Sequence, residues 1–262
     1  MILLFGGTTE GKVAAELLDR KEIGYLYSTK RRTAPFPMRF GVLRHGSLDE
    51  GSMRLLLAAE RIGSILDAAH PFAVELHRTI AEVALKTGVP VIHFERDFRI
   101  SKELLSAPRV RFVNSFADAV ELLEKIRPRH LLAATGVQTI GLLKPYWERH
   151  PMKMRILDRR SSLELALGQG FPQRELILMN PSGSQEDEEA CIRKHGFDCI
   201  LCKENGVSGF LPEKLGAAAA CGIRAVVVRR PPMPDSFRVA GSLQELERLL
   251  VELGREAKPA GR

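Results

Sequence analysis

Short apolar runs rich in Val, Ile and Leu alternate along this chain with longer stretches whose apolar residues recur at helical spacing, and this alternation constrains the fold most. Strands joined through helices run parallel and are buried on both faces. Met1–Phe5, Ile23–Ser28, Ile62–Asp67 and Val89–Phe94 read as strands, with helices over Thr9–Arg20, Asp49–Arg61 and Pro71–Thr87. Pro71 is suited to open the last helix and Gly88 to stop it. Periodicity fades from Glu95 to Pro108, which reads as a linker or a substrate-facing loop. A second series follows, with strands over Arg111–Val113, His130–Ala134, Met152–Leu157, Glu175–Met179, Phe197–Cys202 and Ala225–Val228. Its helices include Phe116–Ile126, Gln185–Lys194, Leu211–Cys221 and Leu243–Leu253. The expected fold is α/β: two Rossmann-like domains with mostly parallel sheets and an interdomain cleft, over 1–100 and 101–254, with 255–262 a disordered tail.

With 45% apolar residues the chain can build a well-packed core. It has no apolar run of the roughly 18 residues that a membrane span needs, and MILLFGGTTEG lacks the basic start of a signal peptide, so a cytoplasmic protein is expected. A net charge of +7 and a pI near 9.4 point to an anionic partner. The basic residues are dispersed and aromatics are only 6%, too few for a nucleic-acid stacking platform, so a polyanionic small molecule fits better. Of the four cysteines, Cys199 and Cys202 share a strand at odd spacing, which sends their sulfurs to opposite faces and favours buried structural thiols over redox or metal chemistry.

Asp67-Ala68-Ala69-His70-Pro71-Phe72-Ala73 places titratable groups where a strand gives way to a helix, at the edge where doubly wound sheets open a ligand crevice. A capping histidine, with Asp67 holding the turn, accounts for the same residues. Gly6-Gly7-Thr8-Thr9-Glu10-Gly11 follows the first strand and opens the first helix, as a dinucleotide phosphate loop does. Thr8 stands in place of the second glycine, so the Thr8 and Thr9 hydroxyls are expected to help, although a plain strand-to-helix turn also uses glycines. The second strand ends Ser28-Thr29-Lys30-Arg31-Arg32 without a carboxylate, which suits a 2′-phosphate and favours NADPH over NADH; a solvated basic turn is the alternative. In the second half, Thr135-Gly136 ends one strand and Lys203-Glu204-Asn205-Gly206 ends another, ahead of a helix carrying Lys214. Lys203 and Lys214 are expected to pair with phosphate or carboxylate. His77 and His195 are assigned to polar helix faces, and His45, His93, His130 and His150 to no chemistry.

Taken together, these motifs resemble the precorrin-6A reductase family over nearly the whole chain, the Asp-Ala-x-His-Pro-Phe-Ala block being the most specific. The resemblance implies reduction of one carbon–carbon double bond in a corrin-type macrocycle in cobalamin biosynthesis. Hydride would come from NADPH, with NADH possible, and the product would be precorrin-6B or its cobalt form. It implies cofactor contacts from Gly6, Gly7, Thr8, Thr9, Glu10, Thr135 and Gly136, to which the basic end of the second strand adds Arg31. Substrate contacts would come from Asp67, His70, Pro71, Phe72, Lys203, Asn205, Gly206 and Lys214, with His70 orienting substrate or relaying a proton. No metal, nucleic acid or membrane is implied, and a monomer is compatible. Two positions depart from the family pattern: Thr9 stands where glycine is frequent, and Glu204-Asn205 replaces an acid–serine pair. An extended-type epimerase would carry Tyr-x-x-x-Lys, and none of Tyr25, Tyr27 and Tyr146 has lysine four residues later. A non-catalytic cofactor sensor is the remaining alternative, and it would bind NADPH without oxidising it.

Overall fold

The computed structural model describes residues 1–96, 107–180, 182–205 and 209–256; Gly206, most of the expected linker and 257–262 lie outside the described residues. The chain begins β1 (Ile2–Phe5), α1 (Thr9–Arg20), β2 (Tyr25–Thr29), β3 (Gly41–His45), α2 (Glu50–Ala59), β4 (Ser64–Asp67), α3 (Val74–Thr87) and β5 (Val91–Phe94). It continues with β6 (Val110–Val113), α4 (Phe116–Ile126), β7 (Leu131–Ala133), α5 (Lys144–Trp147), β8 (Met152–Ile156), α6 (Arg160–Gly168) and β9 (Leu176–Leu178). Then come α7 (Gln185–His195), β10 (Cys199–Lys203), α8 (Leu211–Ala220), β11 (Arg224–Val228), β12 (Arg238–Ala240) and α9 (Leu243–Glu256). No described helix is long and apolar enough to cross a membrane.

The strands form two six-stranded sheets, ordered β12-β5-β4-β1-β2-β3 and β6-β11-β10-β7-β8-β9. Every described pairing is parallel. The first order, read from β3, is that of a dinucleotide-binding sheet, with β12 in sixth place. The second follows the same plan, with β6 in that place. Alternation along β1 explains how one sheet serves two cores: Ile2 and Leu4 pack with α1 and α9, while Leu3 and Phe5 pack with α2 and α3. In the second sheet Cys202 joins Leu132, Ile200 and Val227 against α7 and α8. Cys199 is fully buried but lies outside that cluster, as its odd spacing from Cys202 requires.

Three differences from the expected layout have physical causes. β3 was not anticipated, because Gly41–His45 carries Arg44 and His45 in a half-buried edge strand with little apolar signal. The expected second domain, 101–254, loses its end: one compact unit is Met1–Asp97 together with the chain from Pro232 onward, and Phe98–Pro231 is the other. The cause is β12, which pairs with β5, and α9, whose Leu246, Leu249 and Leu253 fill the first core. α9 also runs on to Glu256, two residues into the expected tail.

Candidate active site

In each sheet the strand order reverses once, between β1 and β4 in the first and between β7 and β10 in the second. Connections on the two sides of such a point leave toward opposite faces, which opens a crevice at the strands' carboxyl ends. The glycine turn follows β1 and the Asp67–Ala73 segment follows β4, so adjacent strands, with Phe5 opposite Asp67 in register, bring both motifs to one crevice. Thr8 ties them together: its hydroxyl donates to the Ala68 carbonyl at 2.6 Å and accepts the Gly11 N–H at 2.9 Å, capping α1.

The glycines answer first to Tyr27. A Cβ on Gly6 would lie 2.2 Å from its ring, and one on Gly11 would lie 2.7 Å from the Gly6 backbone. Gly7, at φ +92°, donates its N–H to the Tyr27 hydroxyl at 3.0 Å. The amides of Thr9 and Glu10 at the head of α1 have no carbonyl within the helix to receive them, and they remain the natural anion donors. The help expected from the Thr8 hydroxyl is already engaged within the fold, leaving that of the exposed Thr9. The Glu10 carboxylate is buried and ion-paired with Arg96 at 3.3 Å, so only its amide is placed to meet a phosphate.

Pro71 does not open the helix. The Ala73 N–H donates to the His70 carbonyl at 2.7 Å, so residues 70–73 form a β-turn with Pro71 in its second position, and α3 starts at Val74. The Phe72 N–H donates to His70 Nδ1 at 3.1 Å, which fixes the half-buried ring within the turn. Neutral His70 in this geometry carries its proton on Nε2.

Beneath the turn lies a buried group of titratable side chains. Asp67 is fully buried and cannot meet substrate as expected. Its Oδ1 accepts the Ala69 N–H at 3.1 Å, and its Oδ2 lies 2.9 Å from His93 Nδ1 and 3.3 Å from His77 Nε2. Glu95 Oε2 is 3.7 Å from His93 Nε2. Burial alone would lower the His93 pKa, but the hydrogen bond to Asp67 and the nearby charges of Asp67 and Glu95 outweigh it and raise it to about 9. Burial keeps His77 below the ordinary histidine value despite the pull of Asp67. His77 corrects the sequence reading, which put it on a polar helix face. His77 shares the apolar face of α3 with Ile80 and Val83, a signal its spacing already carried. His93 sits inside the fully buried strand Val91–Phe94.

The second switch point gathers the remaining motif residues. Thr135 is buried, its hydroxyl 2.6 Å from that of Thr139, and Gly136 turns at φ +84°. On the adjacent strand, burial pushes the Lys203 amine down to about 8. The Asn205 N–H donates to the Lys203 carbonyl at 2.8 Å, and Asn205 Oδ1 is buried with no hydrogen-bond partner among the described residues. Lys214, expected to face an anion, is buried instead and donates to the Gly209 and Phe210 carbonyls. Cys199 and Cys202 have their thiols pushed up to about 12 by burial, as inert core thiols should.

Sequence reasoning also missed two basic residues beside the first crevice. β3 sets Arg44 opposite Ser28 and His45 opposite Thr29. The Arg44 guanidinium donates to Ser28 Oγ at 3.1 Å and to the Gly46 carbonyl at 2.6 Å, and Thr29 Oγ1 lies 2.9 Å from His45 Nδ1. Arg31 is exposed just beyond β2. The ends of β2 and β3 thus form a basic edge with no carboxylate between Ser28 and Arg32.

Residues 1–251 match the family described as "Precorrin-6x reductase CbiJ/CobK". Among similar proteins are a cobalt-precorrin-6A reductase of Methanothermobacter thermautotrophicus, 29% identical over 82% of this chain and 70% of the relative. A precorrin-6A reductase of Rhodococcus erythropolis is 29% identical over 92% of this chain and 95% of its own. A solved structure titled "CobK precorrin-6A reductase" shares the fold at a TM-score of 0.77 and 22% identity, covering 97% of this chain and 96% of that one. With a family match that spans both sheets and all four strand-end motifs, this chain belongs to the precorrin-6x reductase CbiJ/CobK family.

Proposed function

We propose that this chain is a precorrin-6A or cobalt-precorrin-6A reductase that takes hydride from NADPH bound at the first switch point. The observation that carries the reading is the meeting of the glycine turn and the His70 turn on adjacent strands, locked by the Thr8–Ala68 hydrogen bond. The residues fit the cofactor. Gly6 and Gly7 keep the turn low, Thr9 and Glu10 offer amides to a pyrophosphate, and Arg31 with Arg44 offers guanidinium groups to a 2′-phosphate. Thr135 and Gly136 stand at the other switch point and are assigned to the same cofactor only by resemblance. A cytoplasmic location belongs to this reading, since buried thiols such as Cys199 and Cys202 suit a reducing compartment.

When bound, reduced nicotinamide supplies the hydride. The chain's own work is binding and orientation. Neutral His70 keeps its proton on Nε2; for it to act as an acid, Nδ1 would first have to take a proton, and that breaks the bond from the Phe72 N–H. We therefore assign His70 to orienting an acceptor on the substrate, with the proton drawn from solvent. The macrocycle is a polyanion, and the net charge of +7 favours it.

Loss of NADPH absorbance on adding precorrin-6A or cobalt-precorrin-6A tests the reading. Wild-type protein should oxidise cofactor only when a macrocycle is present, and NADPH that is bound but never oxidised would leave the sensor alternative standing. Replacing Arg31 and Arg44 together with alanine should raise KM for NADPH by about tenfold or more while sparing KM for NADH. An equal effect on both cofactors would remove the 2′-phosphate assignment.

A further inference from the structure

We propose that His45 reads the 2′ position of the cofactor's adenosine ribose through Nε2, accepting from a 2′-hydroxyl when its ring is neutral and donating to a 2′-phosphate when it is protonated. The proposal rests on the functional reading above for the cofactor's place at the ends of β2 and β3, and on geometry for the protonation.

A single hydroxyl fixes the tautomer. Thr29 Oγ1 lies 2.8 Å from the Arg31 carbonyl and 2.9 Å from His45 Nδ1. The carbonyl can only accept, and the hydroxyl has one proton to give, so both contacts are hydrogen bonds only when Nδ1–H donates to Oγ1. Neutral His45 then carries its lone pair on Nε2. The ring is half-buried, and Nε2 makes no hydrogen bond among the described residues and stays open to solvent. His70 is the opposite case: its Nδ1 accepts the Phe72 N–H, so protonation breaks an internal bond. A proton added to His45 lands on the free Nε2 and leaves the Thr29 bond intact.

The groups around His45 are basic or already engaged. β3 ends its sheet, and β2 beside it sets Thr29 opposite His45, with Lys30, Arg31 and Arg32 exposed just beyond. On β3 itself, Arg44 donates to Ser28 Oγ and the Gly46 carbonyl. The acids nearest in sequence stand at the head of α2, where Asp49 accepts the Ser52 N–H and Glu50 pairs with Lys86 at 2.7 Å. No carboxylate lies within ion-pair reach of His45 among the described residues.

In a dinucleotide-binding sheet an acid after the second strand usually accepts from the ribose hydroxyl. This edge has no such acid, and neutral Nε2 can accept in its place. A 2′-phosphate brings the negative charge that the edge lacks and draws a proton onto Nε2, giving a charge-assisted hydrogen bond. Binding of NADPH therefore takes up a proton and weakens as pH rises, whereas binding of NADH takes up none.

The test measures Kd for NADPH and NADH by the fluorescence of the reduced nicotinamide, from about pH 6.5 to about pH 8.5, in wild type, His45→Gln and His45→Arg. Calorimetry in buffers of different ionisation enthalpy counts the protons taken up, and near-UV circular dichroism reports folding. Wild-type Kd for NADPH should rise about fivefold or more across this range, and Kd for NADH should not rise. The 2′-phosphate loses its last proton near about pH 6 and by itself would strengthen binding as pH rises, so its titration carries the opposite sign. His45→Arg should hold NADPH without the slope and bind NADH more weakly than wild type does. His45→Gln should lose both the slope and the proton uptake. Nitrogen NMR of the cofactor-free wild type should show the neutral His45 ring protonated on Nδ1. A slope that persists in both variants, NADPH binding without proton uptake, or a neutral ring protonated on Nε2 would each overturn the proposal. If a variant does not fold, the wild-type proton count and ring spectrum still decide. Failure of the cofactor reading looks different: neither cofactor binds, or replacing Arg31 and Arg44 together leaves Kd for NADPH unchanged. An effect of the arginines with none of His45 sinks this proposal alone.

Discussion

Two histidines on one carboxylate oxygen give the first unit a stability with two titrating limbs. The folded-state pKa of His93 is raised to about 9 from 6.5, so its contribution is complete below pH 6.5 and is lost as pH rises through 9. His77 runs the other way: its folded-state pKa is depressed, so its contribution is present above pH 6.5 and is lost as pH falls below that value. Urea midpoints across the pH range should therefore peak between the two limbs. His93→Arg should flatten the alkaline limb and His77→Gln the acidic one; a glutamine variant that leaves the acidic limb intact would separate His77 from it. This pairing could not be read from the chain alone, since Asp67, His77 and His93 are brought together only by the packing of β4, α3 and β5.

Most elements were legible because their signals are local: apolar strands closed by Gly or polar residues, Asp49 and Ser184 capping their helices, and Gly88 ending α3 in the left-handed conformation. Local signals also placed all four motifs at strand ends. What failed were elements defined by a partner: β3 and β12 are edge strands whose pairing supplies what their short sequences lack. The role of Pro71 failed for a related reason, since proline suits both a helix start and the second turn position, and the His70–Ala73 hydrogen bond decides between them. For the cysteines, odd spacing within a strand sufficed. Native protein treated with iodoacetamide near pH 8 should label Cys221, which is partly exposed, ahead of Cys191, Cys199 and Cys202. Those three should react at a comparable rate only in denaturant. Rapid native labelling of Cys199 or Cys202 would show that β10 opens far more readily than its complete burial allows.

At the scale of the whole chain, both sheets repeat one plan of five strands, and each takes its sixth from a different place: β6 precedes the second set, and β12 follows everything. The first unit is therefore discontinuous in sequence, and part of its core arrives last. Leu246 on α9 is fully buried among Leu4, Leu18 and Phe94, so Leu246→Ala should cost about 2–5 kcal/mol as a cavity opens against β1 and β5. The loss should fall on the first unit although the mutation lies more than two hundred residues from β1 in the sequence. Native-state hydrogen exchange locates it: amides of β1, β4 and β5 should exchange faster, while those of β7, β10 and β11 keep wild-type protection. A division at residue 100 predicts the opposite pattern, because it would seat α9 on the second sheet. The same experiment bears on the site, since β4 and β5 carry Asp67 and His93: loosening the end of the chain should loosen the His70 turn, with no change in any residue that forms it.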